Sequence, residues 1–550
     1  MESFLHTKWI STAASIWIQC TGGASYTFGI YSSILKSSQS YDQSTLDTVS
    51  VFKDIGANVG ILSGLLYSAV TARRSGLLRG PWVVHFAGAF QCSVGYFFIW
   101  ASVAGLIGRP PVPVMCLFML MAAHAQTFFN TANVVSGVEN FHYFGGTIVG
   151  IMKGFLGLSG AILIQVYSTV CQGDPTTFIL ILAVTPTLVS LLLMPLVKIH
   201  GTSSVHDKKH LNGFSYIAMM VAAYLMVIII LENVLVLPWW ARILTFLFLL
   251  ALLASPFGIA AQAHGDSGPP SLETSRLMYD PEPMPQTKYG EVEEQGEYHE
   301  IRGGPDHAKS VASSSDENLS DDRDDDVVFD VVGAMLTVNF WLLFIAMICG
   351  MGSGLATINN ISQIGESLGY SAVERSSLVA LWSIWNFLGR FGAGFLSDIL
   401  LHKGWARPLF MVITLATLTL GHLIVASGFP GNLYIGSIVV GICYGSQWSL
   451  MPTITAEIFG IRHMGTIFNT IAIASPIGSY IFSVRIIGYI YDKMVTGEDK
   501  SCYGTRCFML SFFIMASVAF LGFLVAFVLF IRTRKFYGRI VLRRLGRRSS

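Results

Sequence analysis

Charged residues are scarce in this sequence. Lysine, arginine, aspartate and glutamate make up 12% of its 550 residues, whereas 53% are hydrophobic. Soluble proteins carry about twice that share of charge. Many windows of about 20 residues contain no ionised side chain, and a helix of that length crosses a bilayer. The composition therefore argues against a soluble protein with buried helices and predicts an all-α protein that crosses a membrane many times.

The motifs of several functional classes are also missing. There is no Walker motif, and the glycine-rich stretch at Gly350 has no strand before it, so a nucleotide loop is not predicted. No cluster of metal ligands, and no nucleophile beside a base, is visible in the sequence. We therefore expect neither an enzyme nor a cofactor. The basic C-terminal tail indicates contact with anionic lipid at the cytoplasmic face rather than binding of nucleic acid.

Apolar stretches predict about fourteen crossings. They lie at about residues 9–34, 48–71, 81–106, 112–136, 145–171, 176–198, 214–236, 239–262, 334–357, 371–397, 407–427, 432–455, 465–490 and 508–531. Lysine and arginine collect in alternate loops, which predicts that both termini are cytoplasmic. The chain runs directly into its first apolar stretch, which is typical of an uncleaved signal-anchor in the plasma membrane or an endomembrane.

The chain repeats itself, which indicates two related halves. Glu139 and Glu457 each stand at the end of an apolar stretch, a few residues before "GTI" opens the next one. Duplicated bundles of this kind are typical of secondary transporters. The composition of the intervening segment, which is acidic and rich in Pro, Gly and Ser, predicts disorder. The predicted parts are a six-helix bundle over 1–200, an inserted helix pair over 201–262, a disordered acidic cytoplasmic loop over 263–330, a second six-helix bundle over 331–532 and a basic cytoplasmic tail over 533–550.

A polar cluster is predicted at one helix end in the C-terminal half. "GFLSDILLHKGWAR" contains Gly394, Asp398 and Arg407. A glycine permits a helix to approach its neighbour, and a carboxylate at that place can accept from an adjacent helix N-terminus and pair with basic residues. We expect the cluster to hold one conformation of a two-state transporter closed.

This motif resembles the signature of the major facilitator superfamily, Gly-x-x-x-Asp followed by basic residues. The resemblance covers nearly the whole chain and implies a fold of two six-helix bundles that rock about a central site. The first copy of the motif departs from the family pattern, because Ser68 stands where the acid is expected. The resemblance implies a cytoplasmic lock formed by Gly394, Asp398, Arg407, Glu457 and Arg462, with Glu139 as the N-terminal equivalent of Glu457.

Two narrower resemblances concern the separate halves. The stretches "KWISTAASIWIQCTGGASYTFGIYSSILK" and "GTIVGIMKGFLGLSGAIL" make the N-terminal half similar to the nodulin-like domain of plant facilitators. The C-terminal stretch "WNFLGRFGAGFLSD" resembles bacterial oxalate/formate antiporters, in which an arginine that follows Asn-x-x-Gly faces the cavity and binds carboxylate. The arginine at the matching position of this sequence is Arg390.

Arg390 is the first candidate for substrate binding. A guanidinium stays protonated, and an intramembrane charge marks a functional site by default. Asn386 lies one turn earlier on the same face. A structural alternative is that Arg390 pairs only with a helix-end acid or with backbone carbonyls. Lys153 is the second buried cation, with a position in the cavity or a structural, lipid-facing position left open.

Polar residues on other helices complete the predicted site. His124 is a candidate for proton coupling, because histidine titrates near neutral pH, although a satisfied packing role is the alternative. The remaining predicted cavity residues are Asn130, Tyr26 and Gln447. Glycines recur at every fourth position at residues 56–64 and 146–154, which permits close helix contacts between the halves or within one half.

These observations predict a secondary transporter for a small solute, plausibly an organic carboxylate, that works by alternating access. Proton coupling and the oligomeric state stay open. The alternative is a transporter-like receptor or scaffold that signals through the acidic central loop. In either case the bilayer is a partner, and nucleic acid is not.

Overall fold

The computed structural model describes residues 6–72, 79–201, 207–235, 237–266, 329–494 and 502–546. Within these ranges the protein consists of helices and loops, without a strand. The predicted acidic loop lies outside the described residues, apart from its first and last few positions. The helices form two bundles about a central cavity.

The N-terminal half contains eight α-helices within the described ranges. They are α1 (Lys8–Gly22), α2 (Phe28–Gln39), α3 (Gln43–Asn58), α4 (Ile61–Thr71), α5 (Trp82–Val103), α6 (Val112–Asn140), α7 (Gly145–Thr169) and α8 (Pro175–Leu193). Two breaks interrupt the helices of this half. A 3₁₀ turn, Ala24–Thr27, separates α1 from α2, and Val59, which follows the last residue of α3, separates α3 from α4.

The middle and C-terminal segments add twelve α-helices in the described ranges. They are α9 (Lys208–Val234), α10 (Trp239–Asp266), α11 (Val331–Met335), α12 (Val338–Met347), α13 (Ser353–Ser367), α14 (Ala372–Leu401), α15 (Arg407–Ser427), α16 (Asn432–Phe459), α17 (Met464–Ala472), α18 (Ala474–Ser479), α19 (Tyr489–Met494) and α20 (Met509–Gly546). Two π-helical segments, Ile348–Gly352 and Tyr480–Gly488, interrupt the C-terminal bundle.

Local capping explains where several helices begin. The Asp174 carboxylate accepts from the backbone N–H groups of Thr176 and Thr177, at 3.1 and 2.9 Å, so α8 begins at Pro175. The hydrogen bonds from Thr177 hold the pKa of Asp174 below its usual value. Ser371 and Glu374 form a reciprocal capping box that begins α14.

Eleven helices are long and apolar enough to cross a membrane in the described part of the chain. The region of α1 with α2, and the helices α14 and α16, run beside them but are more polar. The fourteen predicted crossings therefore remain a prediction. The last helix, α20, runs from Met509 to Gly546 and so includes residues on both sides of the boundary predicted at 532.

The two halves meet along two matching pairs of helices. α7 of the N-terminal half packs along α14, and α4 packs on α17. The inserted pair, α9 and α10, contacts α1 and α7 and also reaches α14. Its ties to the N-terminal half include Lys8 Nζ to Asp207 Oδ2 at 2.6 Å and Trp17 Nε1 to the Leu253 carbonyl at 2.7 Å. The domain boundaries themselves remain a prediction.

The start of α1 and the last part of α20 lie at one end of the bundle. The Tyr537 hydroxyl of α20 donates to Glu457 at the end of α16, at 2.9 Å, and Lys8 begins α1 at the same end. We call this end the terminal face and the other end the opposite face. A disulfide joins Cys502 and Cys507 at the opposite face.

Candidate functional site

A central cavity of about 400 Å³ lies between the two halves. Exposed residues line its mouth toward the opposite face, such as Gly29 and Val379, whereas Arg390 and Lys153 at its floor are each 1% exposed. The cavity is therefore open toward the opposite face and closed toward the terminal face. Most of the helices that line the cavity contribute a polar side chain, although the surrounding bundle is mostly apolar.

Arg390 lies at the floor of this cavity and is held by neutral groups. Its Nε donates to Asn386 Oδ1 at 2.8 Å, one turn earlier on α14. Nη1 donates to the carbonyl oxygen of Lys153 at 3.2 Å, and Nη2 donates to the Tyr26 hydroxyl at 3.4 Å. Three of the five guanidinium donors are thereby used. Asn386, Tyr26 and Arg390 come together as the sequence predicted.

Lys153 enters the same floor from α7. Its Nζ lies 5.0 Å from the ring centroid of Trp448 and 5.2 Å from that of Phe468. The Arg390 guanidinium lies 5.5 Å from the same Trp448 ring. One indole therefore contacts two cations, one from each half. In such water-poor surroundings each contact is worth about 2 kcal/mol.

Neither cation forms an ion pair with a carboxylate in the described residues. The carboxylate among the cavity-lining residues is Asp54, which pairs with Lys53 at 3.0 Å near the mouth. The floor thus carries positive charge without a protein counter-charge. Such a site favours an anion with oxygen acceptors, because a guanidinium binds carboxylate in a bidentate fashion.

Asn130 lines the cavity, but two other predicted residues do not. His124 contacts Gln91 through Nδ1 at 2.8 Å and the Val59 carbonyl through Nε2 at 3.0 Å, at the break between α3 and α4. Gln447 is fully buried and faces Gly350 on the side of α16 away from the cavity. His124 and Gln447 thus belong to helices that line the cavity, α6 and α16, but neither side chain lies among the lining residues. The packing role that the sequence left open fits His124 better.

The cavity also contains residues that sequence reasoning missed. Asn469 of α17 lines it, and its Nδ2 donates to the Thr131 hydroxyl of the other half at 2.7 Å. Phe468 contacts the Lys153 ammonium from the same helix. The available signal was the amide in "GTIFN", which is a polar residue one turn into an apolar helix.

A polar cluster closes the terminal face. Asp398 accepts from the backbone N–H groups of Gly146 and Thr147, at 3.1 and 2.5 Å, and from the Thr147 hydroxyl at 2.7 Å. Its carboxylate also pairs with Arg407, whose Nε donates to Glu457 at 2.7 Å. Because α7 belongs to the N-terminal half, Asp398 joins the halves across the helix N-terminus. We call Asp398, Arg407 and Glu457 the lock.

Close backbone contact surrounds the lock. A side chain at Gly394 would meet the Gly146 carbonyl and would lie 2.7 Å from the Cα of Gly150. On the other helix pair, a side chain at Gly64 would lie 2.5 Å from the backbone nitrogen of Thr466. The repeat at 146–154 therefore faces the other half throughout. In the repeat at 56–64, Gly60 and Gly64 face the other half, whereas Gly56 packs on α6 of its own half.

Glu139 and Arg462 lie outside the lock. Together with Ser68 they line a separate hollow of about 660 Å³ at the terminal face. Glu139 accepts from the Tyr67 hydroxyl at 3.4 Å. The prediction that Arg462 belongs to the lock with Asp398 and Arg407 is not met. Glu139 stands at the corresponding helix end of the N-terminal half, where Ser68 takes the place of the acid. The Ser68 hydroxyl instead meets the Thr466 hydroxyl at 3.5 Å.

Comparison with known proteins agrees with this geometry. A family model described as Nodulin-like matches residues 8–261, and one described as NFD4, C-terminal domain, matches residues 327–539. The protein NUCLEAR FUSION DEFECTIVE 4 of Arabidopsis thaliana is 24% identical over 551 residues, which are 97% of this chain and 90% of that protein. The probable transporter MCH1 of Yarrowia lipolytica is 27% identical over 204 residues, 35% of this chain and 41% of that protein.

Among solved structures, the proton:xylose symporter XylE of the major facilitator superfamily has a similar fold. The TM-score is 0.54, with 10% identity over 95% of each chain. At that identity the likeness concerns the fold alone. The two family matches follow one another in the order of the two bundles. The chain therefore joins a Nodulin-like domain to an NFD4 C-terminal domain, with the fold of the major facilitator superfamily.

Proposed function

We propose that this protein moves a small organic anion, with at least one carboxylate, across its membrane by alternating access. The observation that carries the proposal is Arg390, a permanent cation that is 1% exposed at the floor of an open cavity and has no carboxylate partner in the described residues. Burying an isolated charge within a membrane costs free energy, and such charges mark functional sites. A bound anion supplies the missing counter-charge.

The geometry around Arg390 suits a carboxylate. Asn386 and the Lys153 carbonyl orient the guanidinium from one side, while the Tyr26 hydroxyl lies at 3.4 Å on the cavity side. Tyr26 is 44% exposed and lies among the cavity-lining residues. A carboxylate that enters the cavity can therefore take the place of the long Tyr26 contact and accept from Nη2.

Alternating access requires that the two ends open in turn. In the described conformation the lock and the glycine contacts close the terminal face, while the cavity is open at the opposite face. Opening the terminal face separates Asp398 from the N-terminus of α7. The lock therefore sets the balance between the two conformations.

Exchange of labelled carboxylates in proteoliposomes tests the proposal. The probes are radiolabelled acetate, lactate, oxalate, succinate and citrate, each exchanged against the same unlabelled acid. We expect Arg390→Ala to lose exchange by about 100-fold or more, since removing one partner of a buried charge pair costs about 3–5 kcal/mol. Arg390→Lys should keep a part of the exchange activity, because the positive charge remains but the bidentate guanidinium is lost.

Arg375→Ala is the matched control. Arg375 lies on the same helix but pairs with Glu366 outside the cavity. It should exchange like the wild-type protein. Full exchange by Arg390→Ala would contradict the anion site. A wild-type protein that binds a probe but exchanges none of the five would favour the receptor or scaffold alternative.

A further inference from the structure

Two basic side chains contact the indole of Trp448, and neither has a carboxylate partner among the described residues. Lys153 Nζ and the Arg390 guanidinium lie 5.0 and 5.5 Å from the same ring centroid, and each residue is 1% exposed. Arg390 also donates to the backbone carbonyl of Lys153. Because both groups are buried against one ring, burial and mutual repulsion disfavour the state in which both are charged.

Only one of these two groups can give up its proton. A guanidinium does not deprotonate in proteins, whereas a buried lysine amine does so readily. A neutral amine at Lys153 leaves a single cation, which the Trp448 ring, Asn386 and two oxygen atoms already stabilise. The empty cavity therefore favours the neutral amine of Lys153.

The described residues that line the floor of the cavity beside Lys153 include no carboxylate. α14 contributes Arg390, α16 contributes Tyr444 and Trp448, the 3₁₀ turn contributes Tyr26, and α17 contributes Phe468 and Asn469. The neutral amides Gln19 and Asn130 stand on α1 and α6.

Acids farther along the same helices are already paired. Glu232 of α9 accepts from Gln165, which lies about 18 Å along α7 from Lys153 at 1.5 Å per residue. Asp398 is held by Arg407 and by the first residues of α7, about 10 Å from Lys153 by the same rise. Asp54 pairs with Lys53. None of them neutralises the ammonium at the floor.

We propose that Lys153 carries one proton together with each transported carboxylate, so that the protein is an anion–proton symporter. When the carboxylate reaches Arg390, its negative charge permits a second cation, and the Lys153 amine takes a proton from the water of the cavity. An N–H bond forms at Nζ as an O–H bond of hydronium breaks, which leaves a neutral water molecule. When the carboxylate leaves on the other side, that bond breaks and the proton returns to water there.

This inference rests on the proposed function, and it assigns separate tasks to the two cations. Arg390 binds the anion in every step. Lys153 must be neutral for the empty protein to change conformation and charged for the loaded protein to do so. The loaded complex with a monocarboxylate then carries the same net charge as the empty one.

Replacing Lys153 by arginine separates exchange from net uptake. In Lys153→Arg the side chain at position 153 stays charged. The empty protein therefore cannot change conformation, whereas the protein with a bound carboxylate still can. We expect exchange of a labelled carboxylate to persist and net uptake driven by an inward proton gradient to be lost. Lys493→Arg is the matched control, because Lys493 contacts the ring of Tyr489 outside the cavity. This variant should keep both exchange and net uptake.

A binding measurement keeps the inference testable if arginine does not fit at position 153. Calorimetry of the detergent-solubilised protein in two buffers of different ionisation enthalpy counts the protons taken up with each probe carboxylate. We expect about one proton per bound anion in the wild-type protein and none in Lys153→Gln.

The outcomes distinguish the two proposals. Net uptake by Lys153→Arg that still follows the proton gradient, or unchanged proton uptake by Lys153→Gln, overturns the role of Lys153 while leaving the anion site intact. Normal exchange by Arg390→Ala overturns the anion site itself.

Discussion

Asp398 is the residue on which the closed terminal face depends most. Its two oxygens accept from two backbone N–H groups and one hydroxyl of α7 and from Arg407. Arg407 is fully buried, so it needs both Asp398 and Glu457 as counter-charges. A change at position 398 therefore acts on both halves at once.

We predict that Asp398→Asn opens the terminal face. The substitution removes one charge from a buried cluster, which costs about 3 kcal/mol and shifts the balance of conformations by about 100-fold. Labelling of a cysteine at the cavity residue Ser383 with an impermeant maleimide measures this. Labelling from the opposite face should fall, because the cavity spends less time open to that side.

Glu374→Gln is the control for this prediction. It makes the same chemical change at the exposed start of α14, in the capping box with Ser371, away from the interface between the halves. Labelling of the Ser383 cysteine should match that of the wild-type protein. If Asp398→Asn were labelled as strongly as the wild-type protein, the lock would not set the balance between the two conformations.

The element that allows the closed state is the glycine face between α7 and α14. Gly146 and Gly394 bring the two helix backbones into contact, and Gly150 lies opposite the carbonyls of Arg390 and Phe391. Interfaces between membrane helices use such small residues to permit close approach. The contact is reversible, because it contains little interlocking side-chain packing.

We predict that Gly394→Ala weakens closure while Gly392→Ala does not. An added Cβ at position 394 would meet the Gly146 carbonyl and Gly150, and overpacking of this kind costs about 1–3 kcal/mol. A Cβ at position 392 meets nothing within 4 Å. The readout is again maleimide labelling at Ser383 from the opposite face.

The pair of alanine variants separates packing from helix propensity. Alanine favours the helix at both positions by a similar amount. A fall in labelling for both variants, or for neither, would contradict the contact between α7 and α14 as the cause.

At the scale of the whole molecule, the proposed alternating access requires the two halves to part at the terminal face. Ser68 of α4 and Thr466 of α17 belong to different halves, and their hydroxyls lie 3.5 Å apart. A covalent link at this place should hold the terminal face closed without touching the cavity.

We predict that oxidised Ser68→Cys/Thr466→Cys loses carboxylate exchange and that a reducing agent restores it. The disulfide prevents the terminal face from opening, so the anion cannot leave on that side. The single variants under oxidant control for effects on the buried cysteines. Exchange by the cross-linked protein at the wild-type rate would contradict rocking of the two halves.

Much of the residue-level site can be predicted from sequence where a charge interrupts an apolar helix. Arg390, Asn386 and Lys153 stand out for that reason, and all of them reach the cavity floor. His124 and Gln447 were placed on the wrong face. A polar residue in an apolar helix indicates that it needs a partner, but the rotation of the helix against its neighbours selects which partner it finds.

The sequence by itself determined that the chain is all-helical and membrane-spanning, and it indicated the duplicated halves, because bilayer thickness and hydropathy constrain each helix separately. Its motif also identified the superfamily. The packing of the helices brings Lys153 and Arg390 to one indole, that of Trp448, and sets Glu139 and Arg462 apart from the lock. It also turns the repeat at 146–154 toward the other half, while the repeat at 56–64 is divided between the two halves. These are contacts between helices distant in the chain, which depend on how each helix is rotated and packed, and no local pattern encodes them.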